Sequence, residues 1–141
     1  MKANELIDNF FVYFNCFDGS KIIVRVTGYK DGIVYGDSEN GSHWCNIENV
    51  EPIPITQEII RKNELFAPYK HAYPYPYYEY ENKEGRLKIG FGFPQGNKTK
   101  YKDSWIYIDS ENVFIEHLPC IYVHQLQQIL KLCQIEKEII I

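Results

Sequence analysis

Three residues near the carboxyl end have the types and spacing of a reaction centre. His117, Cys120 and His124 stand three and four positions apart, with Cys120 and His124 in a stretch that carries a helical apolar stripe. A cysteine in the first turn of a helix has a depressed thiol pKa, and a neighbouring imidazole can hold the thiolate as an ion pair. The four-residue step from Cys120 to His124 is the one that brings helix side chains together. The same trio has the chemistry of a metal site, with Cys45 or His43 as a distant fourth ligand. The local context supports neither reading. No cysteine-protease signature surrounds Cys120, and the chain has no Cys-x-x-Cys pair. The expectation is a packed, structural cysteine. No catalytic residue, metal ligand or cofactor is assigned, and a cysteine enzyme centred on Cys120 stands as the second alternative.

A glycine-rich run from Gly90 to Thr99 fails as a phosphate loop. Asn97 separates Gly96 from Lys98, Pro94 interrupts the glycines, and the stretch from Lys100 to Tyr107 reads as a strand. The helix N-terminus that would face a phosphate is missing. The acidic pairs Glu48/Glu51 and Asp109/Glu111 lie in turn-like segments and read as solvated charge.

Tyrosine is the conspicuous residue, with 12 in the chain. Between residues 66 and 82 tyrosines interleave with Pro68, Pro74 and Pro76. Tyr73, Tyr75, Tyr77 and Tyr78 are candidate anchors for a protein partner, because tyrosine buries area at low rotamer cost. They are also candidate stacking platforms for a small nucleotide or nucleic acid, with Lys98 and Lys100 in the basic subset from Lys83 to Lys102. The net charge of −4 works against a general nucleic-acid binder. Trp44 has two fates: buried in a small β core, or exposed as the mark of a peptide groove.

These residues must be held by short strands and one long helix. Residues 11–16 and 21–27 are aromatic or β-branched runs joined at Asp18-Gly19, a hairpin signal. Further turns at Asp31-Gly32 and Asn40-Gly41 divide the chain up to residue 55 into five short strands, the last limited by Pro52 and Pro54. Thr56 caps a two-turn helix with Ile59 and Ile60 inward, closed by Asn63 in a left-handed conformation. Residues 77–81, 86–93, 104–109 and 112–117 read as strands, with Gly90 and Gly92 facing away from Leu87, Ile89, Phe91 and Phe93. From Pro119 an apolar stripe at Val123, Leu126, Ile129, Leu130 and Cys133 predicts the long helix. Its polar face carries His124, Gln127, Gln128 and Lys131, the second set of candidate binding residues. Residues 135–141 predict a final strand or a covered apolar tail.

The fold class is therefore α+β: an N-terminal SH3-like small β-barrel, then a mostly antiparallel sheet packed by the C-terminal helix. The divisions are residues 1–55 and 56–141, which can also share one continuous domain. The chain of 141 residues is long enough for a core without staples. The first ten residues lack the pattern of a signal peptide, and no run has the length of a membrane span. The expectation is a cytoplasmic protein with four free cysteines.

Two stretches carry a resemblance. One is Pro52-Ile-Pro-Ile-Thr-Gln-Glu-Ile-Ile, within the longer run from Gly41 to Asn63; the other is Tyr122-Val-His-Gln-Leu-Gln-Gln-Ile-Leu. Together they resemble a family of small proteins of phages, prophages and mobile elements of anaerobic gut bacteria. This chain departs from it at Glu64-Leu65, a position where Gly-Phe is common in the family. No activity is established for that family, so no residue role carries over. The resemblance implies an accessory protein that binds a host protein or sequesters a small molecule. The expected function is a non-enzymatic binding protein with a protein partner and no membrane, the first alternative being a nucleotide or nucleic-acid binder.

Overall fold

The structure is a computed structural model, and it describes every residue except 7, 65, 69–76 and 95–102. It divides into two units, each built on its own five-stranded antiparallel sheet. The first comprises Met1–Pro54 and Tyr122–Cys133; the second comprises Ile55–Ile121 and Gln134–Ile141.

In the first unit the strands are β1 (Phe11–Asn15), β2 (Lys21–Lys30), β3 (Ile33–Ser38), β4 (Gly41–Asn46) and β5 (Val50–Pro52), in the sheet order β4-β3-β2-β1-β5. The turn at Asp31-Gly32 falls where the sequence places it, whereas the next lies one residue earlier than expected, at Glu39-Asn40, with Gly41 already in β4 opposite Ser38. Asp31 and Gly32 both have positive φ, 52° and 82°, the twist that a two-residue hairpin requires. Alternation puts Val12, Phe14, Val24, Val26, Val34, Cys45 and Val50 in one core. Full burial of each such valine contributes about 1.5–3 kcal/mol. The register of β2 on β3 slips between Val26 and Gly28, which bends this long strand.

No ladder closes β4 onto β5, so the closed barrel expected from the sequence is absent among the described residues. The physical reason lies in β5, which is 3 residues long and ends at Pro52, a residue with no N–H to give a further ladder. Gly36 shows how tightly β2 and β3 approach: a Cβ there would lie 2.2 Å from Val24 Cγ1 and 2.6 Å from the Arg25 carbonyl oxygen. Gly36→Ala is expected to cost about 2 kcal/mol, read as a lower denaturant midpoint, because the carbonyl cannot rotate away.

Helix α2 (Val123–Leu132) completes the first unit. The sequence expectation assigns it to the second sheet; the structure places it on β1. Amphipathicity specifies that Val123, Leu126 and Leu130 are buried, as they are, but not which sheet receives them. The start also differs from the expectation at Pro119. Tyr122 is the N-cap, its N–H bonded to Gln125 Oε1 at 3.1 Å. Tyr122 bridges Pro54, and the Val123 N–H donates to the Ile53 carbonyl at 2.9 Å, which holds this part of the chain extended up to the cap.

The second unit contains α1 (Gln57–Lys62), then β6 (Ala67–Pro68), β7 (Tyr77–Glu81), β8 (Leu87–Gly92), β9 (Trp105–Ser110) and β10 (Phe114–Pro119), in the order β10-β9-β8-β7-β6. Thr56 Oγ1 accepts the Ile59 N–H, and Ile59 and Ile60 are buried. Phe66, Tyr78, Phe91 and Phe93 form an aromatic cluster, with Phe91 and Phe93 centroids 5.1 Å apart. Gly90 and Gly92 give the room on the opposite face that Tyr77 and Trp105 fill.

Asn63 does not take the left-handed conformation; its φ is −93° and ψ 101°. Its buried amide instead donates to the carbonyls of Ile59 and Ile140 and accepts the Ile140 N–H. Residues 135–141 form no strand; in this tail Ile139 is buried and Ile140 is exposed.

Candidate functional site

The chemistry first suggested by His117, Cys120 and His124 does not assemble. Cys120 lies before α2, not in its first turn, and its backbone is spent on Ser104. The side chain is fully buried, and that desolvation pushes the thiol pKa up to about 12. Such a thiol presents no thiolate at neutral pH. His117 is exposed, its ring 5.8 Å from Trp105. No group of three His, Cys, Asp or Glu side chains among the described residues is arranged to hold a metal ion.

The polar face of α2 is only partly an outer face. His124 is 8% exposed, stacked on Tyr122 at 5.8 Å and tilted against Phe10 at 5.9 Å. The sequence places it outward because its neighbours Gln127, Gln128 and Lys131 are polar; the aromatic rings of Phe10 and Tyr122 draw it in. Gln127 accepts the Phe11 N–H and donates to the Asn9 carbonyl, at 3.0 and 3.1 Å, so it clamps the entry to β1. Gln128 and Lys131 are exposed.

The buried imidazole sets a pH dependence. Burial lowers the pKa of His124, the charge of Glu5 opposes that, and the chain-terminal ammonium reinforces it. Its Nδ1 finds no hydrogen-bond partner among the described residues. The unfolded chain therefore binds the proton more readily than the fold does. His124 gives its full contribution above its ordinary pKa of about 6.5 and loses it as the pH falls below that value. A urea midpoint that drops between pH 7 and 5 in the wild type, and drops less in His124→Phe, is the expected result.

Among the tyrosines, Tyr78 is a core residue whose hydroxyl accepts from Arg61 Nε at 3.0 Å. Tyr77 is half-buried over Gly90. Neither is the open anchor that the sequence suggests, because successive residues of β7 are both absorbed by packing. Tyr73, Tyr75, Lys98 and Lys100 lie outside the described residues. Of the remaining basic subset, Arg86 pairs with Glu111 and Glu84. Lys88 stands between Glu81 and Asp109 in the register of β7, β8 and β9.

The site that the structure does offer lies wholly in the first unit. Trp44 and Cys45 are adjacent on β4, so the pleat sends them to opposite faces. Cys45 pairs with Val34 and enters the core; Trp44 pairs with Tyr35 and is 67% exposed. Phe17 is fully exposed in the β1–β2 turn. That turn is tied by the Cys16 N–H to the Ser20 carbonyl at 2.8 Å and by Asp18 to the Ser20 N–H at 2.9 Å. The Ser20 bonds hold the Asp18 carboxyl below the usual carboxylate range.

A mostly apolar cavity of about 420 Å³ opens here, lined by Phe14, Phe17, Ile22, Trp44 and Cys45, with Asn15, Ser42, Asn46 and Asn49 among its polar groups. His43 also lines it, sharing a 2.6 Å hydrogen bond between Nε2 and Ser38 Oγ. The volume falls within the range of binding pockets. No Lys, Arg, Asp or Glu among the described residues lines it, so it suits an uncharged, apolar group with amide partners. The strand β4 that carries Trp44 is an edge, paired only with β3 among the described residues.

Neither Phe17 nor the cavity was legible in the sequence. The available signal for Phe17 was an aromatic residue directly ahead of an Asp-Gly turn, where no sheet face can bury it. The chain matches no family model, no curated protein and no solved structure.

Proposed function

We propose that this chain is a non-enzymatic binding protein that takes an extended segment of a protein partner along β4, with an apolar side chain in the Trp44 cavity. One observation carries the reading: an exposed tryptophan and an exposed phenylalanine flank an apolar cavity beside a sheet edge with no second neighbour among the described residues. Exposed edges accept extended peptides through main-chain hydrogen bonds, and adjacent pockets select alternate side chains. Large aromatics at a pocket are the residue types that dominate binding energy. The strand order and the bend in β2 support an SH3-like arrangement left open at one seam. The uncharged lining, and the pairing of Arg86 with Glu84 and Glu111, favour a peptide over a nucleotide. No helix among the described residues is long and apolar enough to cross a membrane, and four free thiols accord with a cytoplasmic setting. An origin in a phage or mobile element is part of the proposal and rests on the two sequence motifs alone.

Selection from a library of random displayed peptides tests the reading. Captured peptides should share an aromatic or large aliphatic position flanked by extended, uncharged sequence, and should not be captured by Trp44→Ala. Capture that depends on basic residues and collapses with salt would support the nucleotide-type, electrostatic alternative instead.

A further inference from the structure

The cavity holds two thiols that its binding role does not use. Cys16 follows β1, and Cys45 lies in β4; β2 and β3 stand between these strands in the sheet, yet both residues line the same space. The sheet therefore curls until the start of the β1–β2 turn and the β4 edge share a wall. We infer that Cys16 and Cys45 form a reversible disulfide that draws these walls together and shuts the Trp44 cavity. This rests on the proposed peptide site and adds its regulation.

Burial, and secondarily the nearness of Cys16, raise the Cys45 thiol, which identifies Cys45 as the slow partner. Cys16 is half-exposed and meets the oxidant first. The oxidant is a low-molecular-weight disulfide such as oxidised glutathione. The Cys16 thiolate attacks one of its sulfurs, forming a mixed disulfide and releasing one glutathione thiolate. The Cys45 thiol then loses its proton to solvent and attacks the Cys16 sulfur, releasing the second glutathione. Two protein thiols are oxidised by two electrons, and one glutathione disulfide is reduced to two thiols. The second step needs the Cys45 thiolate, so bridging speeds up as the pH rises above neutral.

The test treats the full chain with oxidised glutathione, traps free thiols with N-ethylmaleimide and maps the peptides. A separate titration with the uncharged dye Nile red reads the cavity. The expected result is a Cys16–Cys45 linked peptide, dye affinity at least tenfold weaker, and full recovery with dithiothreitol. Cys16→Ser, a change at a half-exposed site, should show the same dye affinity before and after oxidation, whatever its starting value; it serves even if Cys45→Ser fails to fold. A glutathione adduct that stops at Cys16, a bridge to Cys133, or a bridged protein that binds dye undiminished overturns the inference. The peptide map is read without a ligand, so its result stands apart from any failure of peptide capture.

Discussion

Asn63→Ala is expected to destabilise the second unit by about 3 kcal/mol. The amide of Asn63 is 2% exposed and makes three hydrogen bonds, to the Ile59 carbonyl at 2.7 Å and to both backbone groups of Ile140 at 2.8 Å. The two bonds to Ile140 imitate one rung of a sheet ladder, so a side chain does for the tail what a strand would otherwise do. Alanine takes the partner from the Ile140 N–H and carbonyl, at about 1–3 kcal/mol for each that water cannot reach, while the Ile59 carbonyl keeps the backbone N–H of residue 63. Release of the tail would spare part of that cost but expose Ile139, worth a further ~1.5–3 kcal/mol. Either route arrives at a similar loss. Asn63→Asp separates the contributions. It keeps an acceptor for the Ile140 N–H but sets a buried carboxylate against two carbonyl oxygens, so it should be worse than alanine at neutral pH and recover partly in acid. Chemical denaturation measures the loss, and carboxypeptidase digestion reports release of the tail.

Trp44→Ala has the largest effect expected on binding and a small one on stability. Truncating a tryptophan anchor costs about 2 kcal/mol or more at an interface, roughly a thirtyfold loss of affinity. The same change removes only the cross-strand pair with Tyr35 from the free protein, worth about 0.2–1 kcal/mol. Isothermal titration with a display-selected peptide, run beside denaturation of the same variant, should show this split. A variant that loses affinity only in proportion to lost fold would place Trp44 among structural residues instead.

Local chemistry made much of the fold legible. Asp31-Gly32 set its hairpin, Asn40-Gly41 marked the next to within one residue, Thr56 set the start of α1, and alternation along β8 sent Gly90 and Gly92 to one face. What failed was whatever depends on a partner distant in sequence. The stripe of α2 named its buried residues but not the strand β1 that receives them. His124 was read as polar surface because helical position alone cannot reveal Phe10. Asn63 has the composition of a helix stop, and nothing local shows that Ile140 will come to its side chain. The closed barrel was read from five strands and their turns, whereas closure depends on whether β4 and β5 can pair, and the prolines at residues 52 and 54 oppose it.

The site was legible only as a fork. Trp44 beside Cys45 meant that one faces the core, and Val34 opposite Cys45 decides which. The tyrosines drew attention through number, yet Tyr78 is consumed by Arg61 and Phe93, and Tyr77 by the space over Gly90.

Amide hydrogen exchange of the chain with and without a display-selected peptide tests the central claim most directly. A peptide seated along β4 predicts added protection of the β4 amides from Gly41 to Asn46 and of the β1–β2 turn, absent in Trp44→Ala. Protection confined to β10 or to the outer face of α2, with β4 unchanged, would contradict it.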